Sequence, residues 1–148
     1  MNWFRQTTPL LTTVFVSLAI KAPAVKVRAQ EISPNFTQQL ELLARKCDQL
    51  GLEEQAKITR QWVVPARGDQ QVFYPFLNVD HYRPLGNAPQ LQKFWYERFT
   101  DIRNSEAERL YQKALMLEDA SDAYRLLHRV LHENHRHLQA RRILGYSD

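Results

Sequence analysis

Four of the five histidines in this chain fall within ten residues: His128, His132, His135 and His137. Imidazole nitrogens are common ligands for zinc, copper and nickel. His128 and His132 are four apart, which on a helix puts both rings on one face. The stretch reads His-Arg-Val-Leu-His, however. A metalloprotease helix carries its general-base Glu directly after the first His, and here Arg129 stands in that place. Glu133 lies beyond the second His, and Arg129 and Arg136 would repel a cation. His128 and His132 are therefore a weak metal pair. The expected setting is a solvated helix end, where imidazole suits the negative end of the dipole. No metal and no cofactor is expected.

Other chemistry is equally thin. Glu53-Glu54 and Glu118-Asp119 are adjacent carboxylates, which diverge on a helix and make no acid/base pair. Both suit helix starts. No Gly-x-Ser-x-Gly nucleophile setting occurs, and the four glycines are too scattered to cradle a phosphate. Cys47 is the single cysteine, so no internal disulfide is possible. At helical spacing it falls with Leu40, Leu43 and Leu50, the pattern of a buried structural thiol. The chain is not expected to be an enzyme.

The elements that position these residues read as helices. Ser33-Pro34 forms a helix entry, with Ser as cap and Pro at the first helical position. Phe36, Leu40, Leu43, Ala44, Cys47 and Leu50 recur at three and four. Gly51 ends that helix, and a second follows within 52–64, with Ala56, Thr59, Trp62 and Val63 inward, giving a helical hairpin over 34–64. Residues 65–89 hold four prolines and the run Val72 to Leu77, which Pro75 interrupts as a strand. This is an irregular, Pro-rich arm whose aromatics pack on the helices, with Tyr74 and Tyr82 as candidate contact residues. Helical periodicity returns over 90–146. Leu91, Phe94, Trp95, Phe99 and Ile102 form one stripe; Ser105 and Glu108 fit a capping box, so a helix starts or bends there. Ser121 is the expected cap of the next helix, and a last one runs from His137 to Leu144 and stops at Gly145.

The first 29 residues contain four basic residues and no acidic one. A basic start with Arg5, an apolar run from Leu10 to Ile20, and small residues at Ala22, Ala24 and Ala29 make the order of a signal peptide. Val27-Arg28-Ala29 predicts a mature start at Gln30, with Ala22-Pro23-Ala24 as the competing exit. The run is too short to span a bilayer, which takes roughly 20 apolar residues. The chain carries 20 Lys+Arg and 16 Asp+Glu; without Arg5, Lys21, Lys26 and Arg28 the two balance. A nucleic-acid footprint needs a basic surplus, so no nucleic-acid partner is expected. Nor is a membrane role expected beyond the export signal. The expected location is secreted or periplasmic.

Leu110 and Leu144 are 34 residues apart, as are Ala107 and Arg141, and Tyr111 and Gly145. Thirty-four is the tetratricopeptide period. With Ala107, Leu110, Tyr111 and Ala114 on a first helix and Ala123, Leu127 and Val130 on a second, residues 104–146 resemble a degenerate tetratricopeptide-like repeat, and the hairpin at 37–64 is a looser copy. The aromatic expected at the first signature position is Ala107 or Arg141, and the usual proline before the next repeat is His135. The phrases LARKCDQLGL, FWYERFTDIR and HRHLQARRILGY also loosely resemble the N-terminal helical region of large secreted planctomycete-type bacterial proteins.

These readings converge on an all-α fold: one domain over 30–148, built of stacked helical hairpins in tetratricopeptide fashion with the Pro-rich arm between them. The resemblance implies an exported, non-catalytic protein–protein interaction scaffold. Tyr111 and Arg141, with Tyr74 and Tyr82 of the arm, are the candidate contacts. The alternative is the helical N-terminal part of a larger secreted hydrolase or peptidase, whose own C-terminal region would then be the partner. A last helix with no mate also makes a homo-oligomer possible.

Overall fold

The computed structural model describes residues 33–62 and 82–146. They form an all-α fold of five helices: α1 Pro34–Gln49, α2 Glu53–Gln61, α3 Gln90–Leu115, α4 Ala120–Glu133 and α5 Leu138–Ile143. Residues 1–32, 63–81 and 147–148, with the expected signal peptide, most of the Pro-rich arm and Tyr74, lie outside the described residues. None of the described helices is long and apolar enough to cross a membrane.

α3 organises the rest. Its 26 residues make a rod about 39 Å long at 1.5 Å per residue. The α1–α2 hairpin packs on its N-terminal half, where Phe36, Leu40, Cys47, Ala56, Trp95 and Phe99 form one apolar cluster. α4 and α5 pack on its C-terminal half around Ala107, Leu110, Ala114, Leu127, Val130, Leu131 and Ala140. Alanines at 107, 114 and 140 bring the backbones close. Leu110 and Leu131 fill what remains, and burying each such side chain contributes ~1.5–3 kcal/mol. The indole of Trp95 would be costly to bury unpaired. Its Nε1–H donates to Thr59 Oγ1 at 2.9 Å, and that hydroxyl donates on to the Gln55 carbonyl at 2.7 Å.

The helix stops are local and chemical. Gly51 has φ +71° and Gly145 φ +78°, a left-handed conformation that costs a residue with a Cβ ~1–2 kcal/mol. Each glycine completes the same motif. Gly51 N–H donates to the Asp48 carbonyl and Leu52 N–H to that of Cys47; Gly145 N–H donates to Arg142 and Tyr146 N–H to Arg141. Across the first turn, Arg60 bonds Asp48 and ties α2 back to α1.

Three local expectations change. Ser105 starts no helix: α3 runs through it unbroken, and its hydroxyl donates to the Asp101 carbonyl one turn earlier at 3.0 Å. Ser121 lies inside α4; the cap is Asp119, whose Oδ1 accepts from Asp122 N–H at 2.9 Å. Ser33 holds the N-cap position of α1 without a side-chain capping bond, and its own N–H reaches Glu106 Oε1 at 3.5 Å. The aromatic stripe also divides: Trp95 and Phe99 are buried, while Leu91 and Phe94 are exposed.

Candidate functional site

Between the two apolar clusters lies a charged layer. Arg103 and Glu106 come from α3, Arg129 and Glu133 from α4, and all four are between 3% and 6% exposed. Buried charges persist only when paired and hydrogen-bonded. Arg103 Nη2 donates to the His132 carbonyl at 2.9 Å, and its Nε lies 3.6 Å from Glu133 Oε2. The Arg103 guanidinium also sits 4.0 Å from the Trp62 ring centroid and 5.2 Å from that of Phe99, a cation–π arrangement. Trp62 Nε1–H donates to Glu133 Oε2 at 2.8 Å. Glu106 accepts two bonds from Arg109 at 2.8 Å each, and Arg129 Nη2 approaches it at 4.0 Å. Two cations and two anions thus share the interior between α3 and α4, and Trp62 closes the layer from α2.

Burial pushes the Glu133 carboxyl up from its ordinary value; Trp62, Arg103 and Arg129 pull it down, and Glu106 adds to the rise. A raised carboxyl is the signature of a general acid only where substrate can reach it. Here its oxygen already faces Trp62 and Arg103. A cleft of about 80 Å³ does open beside Glu106, lined by Ser33, Phe36, Ile102 and Arg109 among others. It is far smaller than the ~300–1,000 Å³ of small-molecule sites. The Cys47 thiol is buried and also pushed up, first by burial and then by Asp48, with Arg60 opposing. That makes it a poor nucleophile at neutral pH. The charged layer is structural cement between α2, α3 and α4.

The histidines do not share one site. His128 packs on Tyr124 (4.5 Å between centroids) and Tyr146 (6.4 Å), whereas His132 stacks on Trp62 at 4.9 Å and 17°. His137 is buried as the cap of α5: its Nδ1 accepts from Ala140 N–H at 3.2 Å and its Nε2 faces Glu108 Oε2 at 3.3 Å. Among the described residues no group of three or more His, Cys, Asp or Glu side chains is arranged to hold a metal. The solvated helix end expected for this stretch is corrected. The end of α2 brings Trp62 onto the C-terminus of α4, and Arg129 turns inward to Glu106.

Of the candidate contacts, Tyr111 is half-buried with its ring 4.7 Å from His137, and Arg141 is half-buried with Nη1 3.4 Å from the His135 carbonyl. Tyr82 packs 6.0 Å from Trp62 and 6.4 Å from Phe99. Tyr74 lies outside the described residues. Sequence periodicity missed Trp62, Arg103, Glu106, Arg129 and Glu133 as a group. A signal existed: Trp95, Phe99, Arg103, Glu106 and Leu110 step by four, four, three and four, so two charged residues occupy apolar phase.

The outer surface of α4 and α5 differs from the rest of the molecule. Over 33–62 there are four basic and four acidic residues, and over 82–119 six of each; over 120–146 there are five arginines against Asp122 and Glu133. Arg129 and Glu133 are interior, so Arg125, Arg136 and Arg142 are the exposed arginines, with Arg141 half-buried. The other acidic groups on these helices are Asp122, which pairs with Arg125, and Asp119, which caps α4, while Glu108 of α3 faces His137. Comparison with known proteins adds no relative: no family model, no curated protein and no solved structure matches this chain.

Proposed function

We propose that this chain is an exported, non-catalytic interaction module, a helical scaffold of tetratricopeptide-like type that presents α4 and α5 to a protein partner. The observation that carries the reading is that uncovered apolar side chains and the arginine excess fall on the same stretch, 120–146. Leu42 on α1 and Leu91, Phe94 and Leu115 on α3 are also exposed, but on stretches whose charges balance. Tyr124 on α4 and Leu138 and Ile143 on α5 are 57%, 52% and 54% exposed, although α5 has only six residues. Exposed apolar groups ringed by polar residues are typical of recognition surfaces. Arg141 is half-exposed on α5, and Tyr111 supports that helix through its contact with His137. The 34-residue spacing supports the repeat reading at its buried positions: Leu110 is fully buried and its counterpart Leu144 packs against the same cluster.

Photo-crosslinking in the native source tests this. A crosslinking residue at Tyr124 is expected to give a discrete protein adduct, or a dimer if the partner is a second copy, and the same residue at Arg45 on α1 none. Equal labelling from both positions, or none from Tyr124, overturns it. The intact mass of the native protein tests export: a chain beginning at Gln30 is expected, and one retaining 1–29 overturns that part.

A further inference from the structure

We infer that the α4–α5 surface recognises an acidic, partly apolar segment of a partner protein. The inference rests on the interaction-module reading and names the chemistry of its partner. The charge excess of the described chain is confined to 120–146, because the interior arginine and glutamate of that stretch cancel and the other two stretches are balanced. Arg136 and Arg142 are exposed and form no ion pair among the described residues. The same stretch carries an aromatic row. Tyr124 and His128 meet edge to face along one side of α4, and His128 meets Tyr146 just beyond the end of α5. The row crosses from one helix to the other, so it offers a continuous strip. Arg125 lies one turn before His128, and Arg142 in the last turn of α5 before Tyr146.

A strip of this kind is complementary to carboxylates set beside apolar side chains. Arginine binds carboxylates through paired N–H donors, and the tyrosines supply rigid, amphipathic area. Uncompensated surface charge steers an oppositely charged partner and suppresses like-charged ones. A nucleic acid fits less well. Three exposed arginines, one of them already paired with Asp122, give few phosphate contacts, and the remaining helices present as many acidic as basic residues to a long polyanion.

Fluorescence anisotropy on the full chain tests the inference, with a labelled peptide alternating Glu and Leu, its Lys-for-Glu counterpart, and a DNA duplex as probes. The Glu peptide is expected to bind and the Lys peptide not. Arg136→Glu with Arg142→Glu is expected to weaken the Glu peptide about tenfold or more. Lys46→Glu with Lys57→Glu, the same charge change on α1 and α2, is expected to leave it unchanged. No binding of the Glu peptide, equal loss in both double variants, or tighter binding of the duplex overturns the proposal. A crosslinked adduct from Tyr124 that survives Arg136→Glu/Arg142→Glu would sink the acidic partner while leaving the interaction module standing. Loss of the adduct from the unsubstituted arginine surface as well would sink both.

Discussion

The indole N–H of Trp62 and the carboxylate of Glu133 meet at 2.8 Å although 71 residues separate them. This bond joins the end of α2 to the end of α4, while Arg103 of α3 lies against both partners. Three helices therefore converge on one buried carboxylate.

Replacing Trp62 with Phe keeps an aromatic ring beside Arg103 and removes the donor to Glu133. The expected loss is about 1–3 kcal/mol of stability, the cost of an unsatisfied buried acceptor. Urea unfolding measures it. In a Glu133→Leu background the same substitution should cost much less, because the acceptor is gone; equal costs in the two backgrounds would mean the bond contributes nothing.

Because burial raises the Glu133 carboxyl in the folded state, its contribution to stability is fully present below the ordinary glutamate range. That contribution declines as pH rises through the raised value. Glu133→Gln retains an acceptor for Trp62 and does not titrate. The unsubstituted protein should lose stability relative to this variant as pH climbs above ~4.3. Denaturant midpoints across the pH range report the difference, and an unsubstituted protein that holds or gains stability relative to the variant as pH rises would contradict it.

Gly51→Ala and Gly145→Ala meet open space around the new Cβ, so only the backbone resists. Each should cost about 1–2 kcal/mol. The contrast with Gly86, which has no positive φ, separates conformational strain from crowding: Gly86→Ala should leave the melting temperature within experimental scatter.

Cys47 should resist thiol reagents in the native protein, since it is 2% exposed and its thiol is held up by burial and Asp48. Labelling at neutral pH should proceed at the rate of unfolding and accelerate sharply in denaturant. Fast labelling of the native state would place the thiol at the surface.

Much of the fold can be read from three- and four-residue apolar spacing. Phe36, Leu40, Ala44 and Cys47 mark the buried face of α1, and Gly51 and Gly145 mark two helix ends, because those signals are local. The charged layer could not be read the same way. Arginine and glutamate are ordinarily assigned to solvent, and only a long-range arrangement makes Arg103, Glu106, Arg129 and Glu133 mutual partners. The capping box at Ser105 misled for a related reason: its serine and glutamate fit a helix start, yet Ala107 and Leu110 continue the buried face of the preceding turns. The His128–His132 pair was legible as a shared helix face, but its surroundings depended on Trp62 and Tyr146, which arrive from opposite directions along the chain.

The edge-to-face contact of Trp62 with Tyr82 has a consequence for how this chain could change over time. The described residues on either side of 63–81, Trp62 and Tyr82, are both anchored on the ring of Phe99. Sequence placed between two such anchors adds little strain to the frame, since doubling a loop costs only ~0.6 kcal/mol. The framework can thus accept insertions, deletions or a wholly different segment there while the helices stay in register, and that makes this junction the natural graft point for new specificity.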